Sequence, residues 1–389
     1  MKCAVVVGPQ KPIELWEKRV PPPAPGCVNV EVQRAGVCGT DIHLWEEQDV
    51  YLEPFILGHK GVGTIVHLGE GVTTDHAGIE VSPGDAVYWN PIRPCHSCYE
   101  CTIERDLTGC KNGTLFSAAT GSVTSDVPLD AFIALGCALP TMLKGLENLG
   151  PIQRGSNVLV QGCGAVGLAS IMLARLAGAK TVICVDGNQS RMEMAERFGA
   201  DEVLDIHSKD YGTAGAQGFS LAIEYSGRAA VVEEGLTLLA HNARYLLVGT
   251  WAGSGNVPLL PFDVVRKALK IIGITYESPE NYYEAARIVE TNCCLFPLAD
   301  CVTHRFRLDQ VQEAFSVVTS VSAIKAVIMP QEGFMGTMTL ELHVSGTASK
   351  DAKVCIASST LNLENFDREV VQPSSFWETR KFHKFFHDR

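Results

Sequence analysis

Over roughly the first 140 residues the apolar positions fall in short runs, Val28 to Val32 and Gly61 to Val66 among them, punctuated by Gly and Pro. Short runs bounded by turn-forming residues predict β-rich structure, and helical periodicity is scarce there. From about residue 142 to 289 the pattern changes. Asn157 to Gln161 reads as a strand, Ala165 to Ala177 as a helix, Thr181 to Asp186 as a strand and Ser190 to Phe198 as a helix. The alternation continues through Leu221 to Tyr225, Ala229 to Ala240, Arg244 to Gly249, Asp263 to Leu269, Lys270 to Ile274 and Asn281 to Glu290. This is the signature of βαβ units, whose alternating strands would fit a doubly wound parallel sheet, so the chain as a whole is of the α/β class. Residues 331–389 share neither pattern, although Met338 to Val344 reads as a strand and the aromatic, basic end from Phe376 to Phe386 as a loose extension.

A chain of 389 residues with 46% hydrophobic and 20% charged residues can bury a sizeable core in two or three domains. A net charge of −12 and an isoelectric point near 5.4 argue against a nucleic acid or an anionic membrane as partner, since both need an excess of Lys and Arg. Small-molecule ligands are the easier expectation. Met1 to Gln10 holds one Lys and too short an apolar stretch for a signal peptide, and no span approaches transmembrane length. Fourteen cysteines without a secretory signal fit a reducing compartment and metal thiolates, so a cytoplasmic location is expected.

Gln161-Gly162-Cys163-Gly164-Ala165-Val166-Gly167 sets a GxGxxG between a predicted strand and a predicted helix. There Gly162 makes the turn, Gly164 admits a pyrophosphate, Gly167 lets helix and strand pack, and the helix N-terminus offers free N–H groups to phosphate. Nineteen residues after Gly167 the next strand ends at Asp186, whose carboxylate can accept from both ribose hydroxyls and would repel a 2′-phosphate. NAD is therefore favoured over NADP.

Cys95, Cys98, Cys101 and Cys110 form C-x2-C-x2-C-x8-C, which can close a tetrahedral shell of four thiolates around a structural Zn2+. His96 and Glu100 lie inside this lobe and read as solvated side chains. A second group is dispersed: Gly36-Val37-Cys38-Gly39-Thr40-Asp41-Ile42-His43, then Gly58-His59, then Gly136-Cys137. Two thiolates and an imidazole leave a fourth position for substrate, as a catalytic zinc requires, although each residue taken singly also reads as an ordinary core side chain.

Through GVCGTDIH, LGH, the four-cysteine lobe, LGCALPT and QGCGAVG, in that order, residues 1 to 330 resemble the zinc-containing medium-chain alcohol dehydrogenases. The resemblance implies a GroES-like β-rich catalytic domain over 1–141, a Rossmann domain over 142–289, a return to the catalytic domain over 290–330 and an atypical extension over 331–389. It implies a homodimer or homotetramer that passes a hydride between an alcohol and NAD with two zinc ions per chain. Cys38, His59 and Cys137 would hold catalytic zinc, Thr40 would bridge the substrate oxygen, His43 would relay its proton to solvent and Asp41 would steady a zinc ligand. Gly162, Gly164, Val166, Gly167, Asp186 and Arg191 would contact the cofactor. A cysteine at the third zinc position matches alcohol rather than polyol dehydrogenases, and Trp45, Tyr51 and Leu52 indicate a somewhat apolar pocket.

Three features depart from that pattern. Lys60 follows the zinc histidine where the family commonly has glutamate, and reads as a lysine turned to solvent or a cation beside the metal. Only 26 residues separate Cys110 from Cys137, with no GGxAEY-like strand. The tail after Pro330 is the third. These features keep open a second reading, a non-catalytic relative that retains the fold and binds cofactor.

Overall fold

The computed structural model describes residues 1–46, 54–56, 58–115, 121–124, 126–207, 218–249, 256–329 and 337–341. The chain forms two compact units: Met1–Asp126 with Ser278–Tyr283 and His304–Arg389, and Val127–Glu277 with Glu284–Thr303.

The first unit is built on a sheet whose spine is the strand Cys27–Val37, which pairs antiparallel with Gly61–Leu68. Ala86–Tyr88 and then Gly121–Val123 extend the sheet on one side, and Lys325–Met329 and Val302–Arg307 extend it on the other. Val28, Val30, Ile65, Val72, Val81, Val87 and Trp89 pack into one core cluster, and alternation along Val28 and Val30 is what aims that set inward. The short segment after Cys110 still supplies the edge strand Gly121–Val123, held by Asp75, whose carboxylate accepts from the Ser122 N–H at 3.0 Å and from those of Ala77 and Ile79. Part of the tail also joins this sheet, because Thr337–Glu341 pairs antiparallel with Cys27–Glu31. The tail segment therefore does not stand wholly apart from the fold. Residues 342–389, with the aromatic end, and Tyr51 and Leu52 lie outside the described residues.

The second unit holds six parallel strands ordered Glu202–Asp205, Thr181–Asp186, Asn157–Gln161, Phe219–Glu224, Leu239–Leu247 and Lys270–Gly273. In chain order that is 3-2-1-4-5-6, the doubly wound arrangement in which ligands bind beyond the carboxyl ends of strands one and four. Several elements of this unit were not foreseen in the pattern, the helix Ala138–Leu149 among them. Glu202–Asp205 is too short to show a period, and the helix Leu129–Leu135 buries Ala131, Phe132, Ile133, Ala134 and Leu135, so it has no polar stripe to betray it. Among the described residues no single helix is long and apolar enough to cross a membrane.

Candidate active site and metal centres

The antiparallel register builds the first half of the site. Cys27–Val37 ends at Val37 and its partner begins at Gly61, with Ala35 opposite Gly61, so Cys38 and His59 are delivered to the same end of the ladder. Gly61 has to be glycine: a Cβ there would lie 2.1 Å from the Trp89 ring. Cys38 then caps the helix Gly39–Glu46, its carbonyl accepting from the Asp41 and Ile42 N–H groups. Asp41 reaches back from the third helical position, and its Oδ2 accepts from the Cys38 N–H at 2.8 Å, the acidic half of a capping box.

The other oxygen of Asp41 meets His59 Nδ1 at 3.0 Å. One buried carboxylate thus fixes the backbone of Cys38 and the ring of His59, and it leaves Nε2 as the outward nitrogen, 3.8 Å from Cys38 Sγ. Zinc bonds of about 2.3 Å to sulfur and about 2.0–2.1 Å to nitrogen span that separation with a bent S–Zn–N angle, so this donor set fits the ion. The electrostatics agree. Burial and Lys60 both push the His59 imidazole down, but Asp41 and Cys38 outweigh them and lift it to about 9, and the charges that hold a proton on the ring would hold a cation as well.

Lys60 is not turned to solvent. It is 1% exposed, with Nζ 3.8 Å from Asp41 Oδ2. Thr40 and His43 lie three apart on the helix Gly39–Glu46, hence on neighbouring positions of one face, and both are half-buried. Trp45 packs edge-on against Phe315 and donates Nε1–H to the Lys11 carbonyl, so it belongs to the core around Val37 and Phe315.

The four lobe thiols converge, their sulfurs all within 4.8 Å of one another, with Cys98 Sγ 3.5 Å from Cys101 Sγ and 3.9 Å from Cys110 Sγ. These are the edge lengths of a tetrahedron with bonds of about 2.3 Å, so the donor set again fits zinc. Burial pushes the Cys95 thiol up, yet hydrogen bonds from Ser97 and from the Cys98 N–H outweigh it and hold the thiol at about 6, where thiolate is the ordinary form. Glu100 pairs with Lys111 instead of facing water alone, while His96 is exposed.

In the second unit the glycine turn joins the strand Asn157–Gln161 to the helix Ala165–Leu176. Gly162 sits at φ +107°, and a Cβ on Gly167 would lie 1.9 Å from the Gly162 carbonyl oxygen. A Cβ on Gly164 would meet Arg191 Nη1 at 3.8 Å and the Tyr225 ring at 4.0 Å, ordinary contacts, so packing alone does not require glycine there. Val166 is buried, and its N–H lies in the first helical turn, where a phosphate could be held. Asp186 accepts from the Cys163 N–H at 2.7 Å and from the Asn188 N–H at 2.8 Å, one bond to each oxygen, which leaves lone pairs for ribose hydroxyls. Asn188 caps the helix Gln189–Arg197 by accepting from the Arg191 N–H. Cys137 also belongs to this unit; it caps the helix Ala138–Leu149, and its carbonyl accepts from the Thr141 hydroxyl.

Residues 24–135 match the alcohol dehydrogenase GroES-like domain, and 165–291 match the zinc-binding dehydrogenase family. The chain is 37% identical to 5-exo-hydroxycamphor dehydrogenase of Pseudomonas putida over 84% of its own length and 98% of that protein's. It is 30% identical to L-threonine 3-dehydrogenase of Pyrococcus horikoshii over 81% and 94% of the two chains. An alcohol dehydrogenase of Thermotoga maritima superposes with a TM-score of 0.78 at 25% identity, covering 85% of this chain and 99% of that one. The chain belongs to the zinc-dependent medium-chain alcohol dehydrogenases. It is accordingly an oxidoreductase that exchanges a hydride between a small-molecule alcohol and a nicotinamide dinucleotide, with a GroES-like domain, a Rossmann domain and bound zinc.

For this dehydrogenase the sequence reading passed over Tyr225 and Glu224. Both sit at the carboxyl end of strand four, beside strand one, the place where a doubly wound sheet binds its ligand, and that position was the available signal. Glu224 is buried and accepts from the Ser226 hydroxyl and the Gly227 N–H, which fixes the turn after the strand Phe219–Glu224.

Proposed function

We propose that this dehydrogenase oxidises secondary alcohols to ketones with NAD, using Cys38, His59 and Cys137 as ligands of a catalytic zinc and Cys95, Cys98, Cys101 and Cys110 as ligands of a structural one. The observation that carries the reading is Asp41, which grips Cys38 and His59 together and leaves a sulfur and a nitrogen 3.8 Å apart for one ion. When bound, zinc supplies the Lewis acidity that lets an alcohol lose its proton near neutral pH, and NAD supplies the hydride acceptor. Thr40 accepts the substrate's hydroxyl proton, and His43, one turn along the same helix, passes it to solvent. Gly162, Gly164, Gly167 and the Val166 N–H receive the pyrophosphate. Asp186 takes the ribose hydroxyls and Arg191 closes over the glycine turn, an arrangement that disfavours a 2′-phosphate.

Two relatives' names support this substrate class, since both a ring hydroxyl on camphor and the 3-hydroxyl of threonine are secondary carbinols. Exposed Leu259, Leu260, Phe262 and Val265 lead into Lys270–Gly273, the outermost strand of the six, and support a homodimer or homotetramer formed at that edge. A cytoplasmic location fits the cysteine content. The test is metal analysis of the purified protein followed by NADH formation with cyclic and open-chain secondary alcohols. Two zinc ions per chain, turnover, and a rate with NADP at least about tenfold lower are expected. One zinc and no turnover would make the non-catalytic reading the better one.

A further inference from the structure

We propose that Lys60 is a positioning residue: a buried cation that moderates the pull of Asp41 on His59 and thereby loosens the grip on zinc, keeping the ion a stronger Lewis acid. The inference rests on the ligand assignment above.

Burying a lysine beside a metal site is costly unless its charge is used. Here the backbone leaves it little choice of place, because the Lys60 carbonyl accepts from the Gly36 N–H at 3.2 Å and Gly61 is clamped under Trp89. Its Nζ stands 3.8 Å from Asp41 Oδ2, the oxygen that also receives the Cys38 N–H, while Oδ1 faces His59 Nδ1. Asp41 is therefore shared between two zinc ligands and one cation. Two thiolates and this carboxylate overcompensate a divalent ion by one charge, and the ammonium restores neutrality. Without it, Asp41 would draw more strongly on the Nδ1 proton, His59 would become a better donor, and a direct repulsion on the metal would vanish. All three effects point to tighter zinc and a weaker Lewis acid.

The experiment compares zinc release to a chelator from the full chain in wild type, Lys60→Met and Lys60→Arg, with the four-cysteine zinc as internal reference. Cobalt-substituted samples report the ligand field of the same site by visible absorption. Lys60→Met should need about tenfold more chelator to lose the Cys38–His59 ion, and its cobalt bands should move. Lys60→Arg, which keeps the charge, should stay within about twofold of wild type, with the original bands. Unchanged or weaker binding in Lys60→Met, or a Lys60→Arg protein that behaves like it, would overturn the proposal. If Lys60→Met does not fold, Lys60→Gln takes its place under the same criteria. A wild-type chain with only the lobe zinc would instead sink the ligand assignment, and that is seen before any variant is made.

Discussion

The lobe and the Cys38–His59 pair, both in the first unit, are built in opposite ways. The lobe gathers four thiols from residues 95–110, with only the short helical turn Glu100–Glu104 and the two-residue strands Ile92–Arg93 and Thr114–Leu115 around them. Tyr99 and Ile103 are 60% and 65% exposed, so the lobe has little core of its own. Cys38 and His59, in contrast, are 21 residues apart in sequence and are brought together by strand register over a core of buried valines and Ile65. A site made by proximity in sequence leans on its metal for structure, whereas a site made by a sheet holds its geometry and leans on metal only for chemistry.

Substituting one thiol in each centre gives the largest expected contrast. Cys98→Ser should cost one zinc and destabilise the protein by more than about 3 kcal/mol, a fraction of the roughly 10–16 kcal/mol that structural zinc contributes to small domains. Cys38→Ser should also cost one zinc and abolish turnover, yet move Tm by no more than about 2–4 °C, the equivalent of about 1 kcal/mol at this size. Metal analysis with calorimetry decides it. Equal losses of Tm in the two variants would break the comparison.

Asp41→Asn sharpens the same contrast at lower amplitude. Two N–H groups, of Cys38 and of the His59 ring, now meet one carboxylate oxygen each, and an asparagine offers a single acceptor oxygen. Zinc at Cys38 and His59 should weaken by about 10–100-fold, the range for losing such an outer partner, while the lobe zinc is unaffected. Loss of both ions together would mean that Asp41 serves the fold of the whole unit and not the ligands.

The same distinction explains what was legible in the sequence. Asn157–Gln161 and Thr181–Asp186 appear in the structure with the bounds the apolar pattern gives, because buried parallel strands read as unbroken apolar runs. The four lobe cysteines were visible as a group since their spacing alone brings them together. Cys38, His59 and Cys137 could be named together only as an ensemble, each being weak alone, because register is a property of two strands and neither strand carries it. Lys60 shows the limit most sharply. A lysine among glycines reads as exposed, and only the pairing of Ala35 with Gly61 and the Trp89 ring over Gly61 bring it inside. The helix Leu129–Leu135 failed for the converse reason: burial on every side erases the periodicity that would announce it.

The smallest effect tests whether register alone also holds the shortened segment after the lobe. Gly121–Val123 pairs with Ala86–Tyr88, and Ser122 gives Asp75 both its N–H at 3.0 Å and its hydroxyl at 3.3 Å. Ser122→Ala removes the longer contact and keeps the backbone one, and Asp75 retains the Ala77 and Ile79 N–H groups, so no buried acceptor is orphaned. Stability should fall by about 0.5–1 kcal/mol, the ordinary worth of one hydrogen bond. The catalytic zinc should be untouched, since neither Cys38 nor His59 lies on these strands. A loss of several kcal/mol in urea titrations would mean that this edge strand is held by the hydroxyl and not by its ladder. The segment after Cys110 would then behave like the lobe, a local construction dependent on a single contact, and not like the sheet it joins.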